Sequence, residues 1–182
     1  MRPQALIVAG PNGAGKTTYA REHLKAHKLP FLNADEIAAS LNPDRPWEAQ
    51  VAAARTLFLH LDTLVQKRES YVLETTLSGQ SLRRRVSYWQ QQGYRVKMVF
   101  IVLESPQAHV LRVQHRVNVG FHHVPEADVL RRYHRCICEP PIASPCNDSA
   151  ALWAQSSCRD GALSATTHPD FSIFATAAKR AG

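Results

Sequence analysis

The sequence has few of the features that are typical of membrane proteins, secreted proteins or proteins stabilised by a bound metal ion. It contains no apolar run of membrane-spanning length, and no small-residue cleavage site follows its first apolar segment, so we expect a cytoplasmic protein with no membrane partner. Cysteine is scarce: the chain has 4, at Cys136, Cys138, Cys146 and Cys158. One C-x-C pair and two isolated residues match neither a zinc site nor a disulfide framework, so we interpret these thiols as buried or incidental.

The chain also lacks repeats, low-complexity segments and the composition of a disordered protein. With 182 residues, 45% of them hydrophobic, and with only 8 Gly and 11 Pro, it fits a single domain over residues 1–182. Acidic residues are the minority, 15 against 22 Lys and Arg, which gives a net charge of +7. This charge favours anionic partners such as nucleotides, phosphosugars or nucleic acid without deciding between them.

Short β-branched runs alternate with helical patterns along the chain. Such alternation is typical of an α/β fold with a mostly parallel central sheet and helices on both faces. The patterns predict strands at 4–9, 29–32, 71–74, 95–103 and 150–155. They predict helices at 16–27, 36–41, 47–67, 79–92, 106–117 and 125–138. The pattern weakens from about residue 140, and we expect residues 158–182 to be frayed.

A glycine-rich motif joins the first predicted strand to the first predicted helix. Gly10-Pro11-Asn12-Gly13-Ala14-Gly15-Lys16-Thr17 satisfies G-x-x-x-x-G-K-[ST], and Thr18 follows it. In this context backbone N–H groups surround phosphate oxygens, Lys16 reaches the β- and γ-phosphates, and Thr17 offers its hydroxyl to Mg²⁺. The motif predicts that residues 10–18 bind ATP and Mg²⁺, within a three-layer P-loop NTPase or kinase fold.

Two acidic residues follow predicted strands and are therefore candidates for the same sheet edge. Asp35 is placed either to accept a proton from an acceptor hydroxyl or to stabilise the start of the next helix. Glu74 ends the third strand and precedes a run of hydroxyls that includes Thr76, a group suited to a polar acceptor, although Ser78 also suits a helix cap.

Arginines are concentrated in two predicted helices that flank a loop containing glycine and histidine. They are Arg112, Arg116, Arg131, Arg132 and Arg135. One or two of them could act from a helical lid on the transferring phosphoryl group, whereas solvated faces are the ordinary alternative. We interpret Arg83–Arg85 as a solvated face, and His122 and His123 lack a third ligand at zinc-binding spacing.

Four segments, AGPNGAGKTT, NADEIA, ETTLSG and RVNVGFHHVPEADVLRRY, occur in an order that resembles the compact branch of the zeta-toxin family. The resemblance covers roughly residues 4–135. It implies a P-loop kinase that transfers the ATP γ-phosphoryl to a hydroxyl of a nucleotide sugar such as UDP-N-acetylglucosamine. It also implies an antitoxin partner.

The resemblance assigns roles to individual residues. Lys16 and Thr17 would hold the phosphates and Mg²⁺, Asp35 would be the base, and Glu74 and Thr76 would orient the acceptor. The arginines that act from the lid would be Arg116 together with Arg131 or Arg132, and Arg112 is a further possible lid arginine. The chain departs from the branch at Phe121, where a glycine is usual, and at Ala154 and Gln155, where Asp-Asn is usual.

Two other classes of function stay open. One is a polynucleotide-end kinase or a nucleic-acid-associated P-loop ATPase, which the charge of +7 favours and the absence of a recognisable nucleic-acid module disfavours. The other is a nucleotide-binding domain that has lost catalysis, against which the intact Lys16, Asp35 and Glu74 count.

Overall fold

A six-stranded sheet forms the centre of the protein in the computed structural model, which describes residues 2–77, 81–118, 124–138, 166–168 and 171–177. Its strand order is β2-β3-β1-β4-β6-β5. The strands are β1 (Gln4–Ala9), β2 (Phe31–Asn33), β3 (Tyr71–Thr75), β4 (Arg95–Val102), β5 (Thr166–His168) and β6 (Phe171–Ala177). All neighbouring strands are parallel except β5 and β6, which are antiparallel.

The helices connect the parallel strands as crossovers, as the alternating sequence pattern predicts. They are α1 (Lys16–Ala26), α2 (Ala34–Leu41), α3 (Gln50–Gln66), α4 (Ser81–Gln91), α5 (Pro106–Asn118) and α6 (Glu126–Cys138). A short 3₁₀ helix, Pro46–Ala49, precedes α3, so the predicted helix 47–67 is divided in two. No helix within the described ranges is both long and apolar enough to cross a membrane.

The end of the chain differs from the sequence prediction. The prediction of fraying over residues 158–182 is wrong for β5 and β6, because β6 pairs with nearly the whole of β4, from Val96 opposite Phe171 to Val102 opposite Ala177. The predicted strand 150–155 lies outside the described residues, as do Ser78, Phe121, His122 and His123.

The core lies on both faces of the sheet, which confirms the predicted three-layer α/β fold. On one face, side chains of α3 and α4 pack on the sheet: Leu57, Leu61, Val65, Leu82, Val86 and Trp89. On the other face, Ala14, Ala20 and Leu24 pack against Leu6, Val8 and Val72. β1 is therefore covered on both sides, and the loop that follows it leaves the sheet from a buried central strand.

Candidate active site

The loop Gly10–Gly15 between β1 and α1 has a backbone that requires glycine at three positions. Gly10, Gly13 and Gly15 have φ values of 141°, 79° and 97°. A Cβ on Gly13 would lie 2.8 Å from the carbonyl oxygen of His109 in α5, and a Cβ on Gly10 would collide with the carbonyl oxygen of Ile101 in β4. Left-handed residues of this kind build anion-binding concavities from backbone N–H groups, so the loop has the conformation that the motif predicts.

Lys16, Thr17 and Glu74 meet at the start of α1. Glu74 is the fourth residue of β3, and parallel pairing places it opposite Val8 of β1, two residues before the loop. The Thr17 hydroxyl donates to Glu74 Oε1 at 3.1 Å, and Lys16 Nζ lies 3.9 Å from the same oxygen. The closest partner of Lys16 is the loop itself, because Nζ donates to the Pro11 carbonyl at 3.1 Å.

The buried position of this pair shifts the pKa values of both charged groups towards their neutral forms. Burial lowers the pKa of Lys16, and the charges of Glu74 and Asp35 oppose that shift. Burial raises the pKa of Glu74, against the charge of Lys16 and the hydrogen bond from Thr17. Removing either partner would leave the other as an uncompensated buried charge, so this pair is sensitive to substitution.

Asn33 connects Glu74 to the next strand and to Asp35. Its Nδ2 donates to Glu74 Oε2 at 3.0 Å, and its Oδ1 accepts from the Asp35 backbone N–H at 2.8 Å, which caps α2. One buried side chain therefore fixes both the second carboxylate oxygen of Glu74 and the start of the helix that carries Asp35. Asp35 itself is exposed in the first turn of α2, and its charge acts on both Lys16 and Glu74.

Among the arginines predicted to act from a lid, Arg132 contacts the loop directly. Its Nη1 donates to the side-chain oxygen of Asn12 at 3.2 Å. Arg131 instead pairs with Asp128 at 2.7 Å on the exposed face of α6. Arg112 Nη1 lies 4.0 Å from the position of a Cβ on Gly15, and the exposed Arg116 lowers the pKa of Lys16 through its charge.

The remaining predicted residues lie at or outside the edge of this cluster. Thr18 is exposed on α1. Thr76 is half-buried and adjoins Leu77, which has a positive φ of 55° and donates its N–H to Thr75 Oγ1. Arg83 and Arg84 are exposed, whereas Arg85 is held at 2.6 Å from Asp62 on α3.

Sequence reasoning missed two residues of the cluster. Asn33 is given no role in the sequence analysis, and its bond to Glu74 depends on the pairing of Asn33 with Glu74 across β2 and β3. His109 was not singled out at all, although it is fully buried and its Nδ1 lies 2.8 Å from the Asn12 carbonyl oxygen. No local sequence signal separates it from the other histidines.

The arrangement brings together the glycine-rich loop, a buried carboxylate beside the Thr17 hydroxyl, an exposed carboxylate in the first turn of α2, and arginines of α5 and α6. Hydroxyl and carboxylate oxygens, here Thr17 and Glu74, are the ligands that Mg²⁺ prefers. Glu74 is thus bonded to the residue expected to hold the metal, whereas the zeta-toxin resemblance implies a place beside the acceptor.

Several solved structures share this fold. A proposed kinase from Chloroflexus aurantiacus has a TM-score of 0.60 at 20% identity, over 74% of this chain and 76% of that chain. A chain of the PezAT toxin-antitoxin system of Streptococcus pneumoniae has a TM-score of 0.51 at 20% identity, over 65% of this chain and 54% of that chain. A chain of the Pnkp1/Rnl/Hen1 RNA repair complex has a TM-score of 0.59 at 16% identity, over 73% of this chain and 43% of that chain. At these identities the similarity establishes the P-loop kinase-like fold.

A similar sequence is found in an uncharacterized protein of Haemophilus influenzae, which is 28% identical over 133 residues, 73% of this chain and 94% of that protein. Residues 6–137, which extend from β1 through α6, match the family described as AAA domain. This range contains the loop, both carboxylates and the arginines predicted to act from a lid, and the chain belongs to this AAA domain family, AAA_33.

Proposed function

We propose that the protein is an ATP-dependent kinase that transfers the γ-phosphoryl group to a hydroxyl of a small anionic acceptor. The observation that carries this proposal is the cluster of Lys16, Thr17 and Glu74 at the phosphate loop, with Asp35 one strand away. In it Glu74 accepts a hydrogen bond from Thr17 and forms an ion pair with Lys16. A switch or a simple binding module needs only the loop, whereas a base for an acceptor hydroxyl, the role that we give to Asp35, is needed for group transfer.

The loop and the start of α1 fit ATP and Mg²⁺. Glycines at positive φ leave room for phosphate oxygens at the backbone, and Lys16 lies between the Pro11 carbonyl and Glu74, where an approaching phosphate would favour its charged form. Thr17 and Glu74 would hold Mg²⁺, the hydroxyl directly and the carboxylate directly or through water. Bound Mg²⁺ would neutralise charge that develops on the phosphate oxygens.

Asp35 is the residue we assign as the base. It accepts the proton of the acceptor hydroxyl while the hydroxyl oxygen forms a bond to the γ-phosphorus, and the bond from that phosphorus to the β–γ bridging oxygen breaks to release ADP. The Asn33 cap fixes the first turn of α2, which carries Asp35. Arg132, together with Arg116 and Arg112, would stabilise the negative charge of the transferring group.

The acceptor that we favour is a nucleotide sugar of the UDP-N-acetylglucosamine type. The biological role that we favour is that of a toxin whose activity is inhibited by an antitoxin protein. The zeta-toxin resemblance of the motifs supports this, as does the fold shared with a chain of the PezAT toxin-antitoxin system. In this assignment Thr76 lines the acceptor side, whereas Glu74, which the resemblance also places there, holds Mg²⁺ with Thr17 instead. The net charge of +7 attracts the diphosphate.

A second candidate is a kinase that acts on polynucleotide ends. The fold shared with a chain of an RNA repair complex favours it, and the same charge of +7 would attract a nucleic acid. The two candidates use the same loop and base, and they differ only in the acceptor.

The test is mass-spectrometric detection of phosphorylated product after incubation with ATP, Mg²⁺ and a panel of nucleotide sugars, nucleosides and oligonucleotides. We expect one nucleotide sugar to be phosphorylated, and the product to disappear with Lys16→Ala and with Asp35→Asn. Glu36→Gln is the matched control, because Glu36 is the exposed neighbour of Asp35 and pairs with Arg21 at 3.1 Å.

Each outcome of this panel decides between the candidates. Phosphorylation of oligonucleotides alone would establish the second candidate in place of the first. ATP binding without transfer to any acceptor, or transfer that survives Asp35→Asn, would contradict the assignment of Asp35 as a base.

A further inference from the structure

His109 in α5 connects three separate parts of the candidate site. Its Nδ1 lies 2.8 Å from the Asn12 carbonyl oxygen in the phosphate loop, and its Nε2 lies 3.0 Å from the Leu103 backbone nitrogen just after β4. The ring also packs edge-on against Tyr133 of α6, with the ring centroids 5.2 Å apart. The side chain is fully buried.

The two hydrogen bonds fix the protonation state of the ring. Leu103 N–H is a donor, so Nε2 must accept; the Asn12 carbonyl is an acceptor, so Nδ1 must carry the proton. Burial lowers the pKa of His109 to about 4, helped by the charges of Lys16 and Arg112 and opposed by the bond to Asn12. The ring is therefore neutral at physiological pH, as the pair of bonds requires.

Asn12 receives a second contact from the lid. Its side-chain oxygen accepts from Arg132, the residue next to Tyr133 in α6. Both ends of Asn12, carbonyl and side chain, are thus held by groups that α5 and α6 supply. Gly13, the next residue, packs so closely on the His109 carbonyl that a Cβ there would lie 2.8 Å from it.

We propose that His109 is a positioning residue that holds the phosphate loop in its nucleotide-binding conformation by fixing the Asn12 peptide, and that it docks the lid helix α6 on the loop. It touches no reacting atom in this arrangement and acts through the loop backbone and Arg132. The proposal rests on the proposed function only in assuming that the loop binds ATP.

Two substitutions separate the two hydrogen bonds of the ring. In His109→Asn, the amide nitrogen occupies the place of Nδ1 and retains the donor to Asn12, while the acceptor for Leu103 N–H is lost. In His109→Gln, the amide oxygen occupies the place of Nε2 and retains the acceptor for Leu103, while the tie to the loop is lost. Each variant loses one buried hydrogen bond, so the pair is matched for general destabilisation.

The first readout is ATP affinity by calorimetric titration. We expect His109→Gln to raise the dissociation constant about tenfold, the cost of one buried hydrogen bond, and His109→Asn to stay within about threefold of wild type. Equal affinities in the two variants, or the reverse order, would overturn the proposal.

The second readout is independent of nucleotide binding. Hydrogen exchange of the Ala14 amide, which donates to the Pro11 carbonyl at 3.3 Å, should accelerate about tenfold in the nucleotide-free His109→Gln protein and stay unchanged in His109→Asn. If wild type binds no ATP, the proposed function fails, whereas these exchange rates still decide whether His109 holds the loop. Unchanged exchange in His109→Gln would refute that role.

Discussion

Acidification should destabilise the protein through the buried imidazole of His109. The ring is neutral in the folded protein because burial lowers its pKa to about 4, from an ordinary value of 6.5. As pH falls below 6.5, the unfolded chain binds a proton that the folded protein does not, so unfolding becomes more favourable. The contribution to stability is complete above that value and is lost as pH approaches 4.

The size of the effect follows from the two pKa values. The full shift corresponds to about 3 kcal/mol, at 1.36 kcal/mol per pKa unit. Between about pH 7 and about pH 5 the unfolded ring becomes largely protonated while the folded ring stays neutral, which amounts to about 2 kcal/mol. Lys16 and Arg112 add to this shift, since their positive charges disfavour an imidazolium.

The assay is urea unfolding at these two pH values for wild type and for His109→Gln. The variant lacks the ionisable group, so its free energy of unfolding should fall by about 2 kcal/mol less than that of wild type. His23, whose pKa is also lowered by burial, is common to both proteins and cancels in the difference. An equal loss in the two proteins would refute the neutral, buried state of His109.

Three further changes test the phosphate loop, the carboxylate and the lid. Gly13→Ala should lower the free energy of unfolding by about 2 kcal/mol and abolish ATP binding, because φ is 79° and a Cβ would meet a backbone oxygen of α5 at 2.8 Å. Gly93→Ala is the control, because Gly93 has a similar φ of 82° but a Cβ there would have no contact closer than 3.6 Å. This variant should lose stability in thermal unfolding and keep ATP binding in calorimetric titration. Loss of ATP binding in both glycine variants would contradict this reasoning. Glu74→Gln should raise the Mg²⁺ concentration for half-maximal transfer roughly 10-fold to 100-fold, and an unchanged Mg²⁺ titration would exclude the carboxylate from the metal site. Arg132→Gln should lower kcat at least about tenfold, whereas Arg131→Gln should not; equal effects of the two on steady-state kinetics would remove the reason for distinguishing them.

Much of the fold and of the loop follows from local sequence. Gly10–Thr17 carries its own backbone requirements, and Glu74 stands at the end of a short apolar strand, so the positions of both in the fold are predictable from the sequence alone. The same holds for α1 through α6, whose boundaries differ from the predicted ones by a few residues.

The features that sequence reasoning missed depend on contacts between distant segments. β6 pairs with β4, whose residues lie 75 positions earlier in the chain, from Val96 opposite Phe171 to Val102 opposite Ala177. The weak local periodicity of this segment therefore does not predict the strand. His109 is buried only because β4, the phosphate loop and α6 converge on its ring. The choice of Arg132 over Arg131 likewise follows from the way α6 packs, since two consecutive residues of a helix face different directions.

Binding of ATP to the phosphate loop is the central claim, and calorimetric titration of ATP into the nucleotide-free protein, with and without Mg²⁺, tests it most directly. We expect binding at one site, tighter with Mg²⁺, weakened at least about tenfold by Lys16→Ala and unchanged by Lys25→Ala, which removes an exposed lysine of the same helix paired with Glu22. Absence of ATP binding in wild type, or equal affinity in Lys16→Ala, would contradict the account.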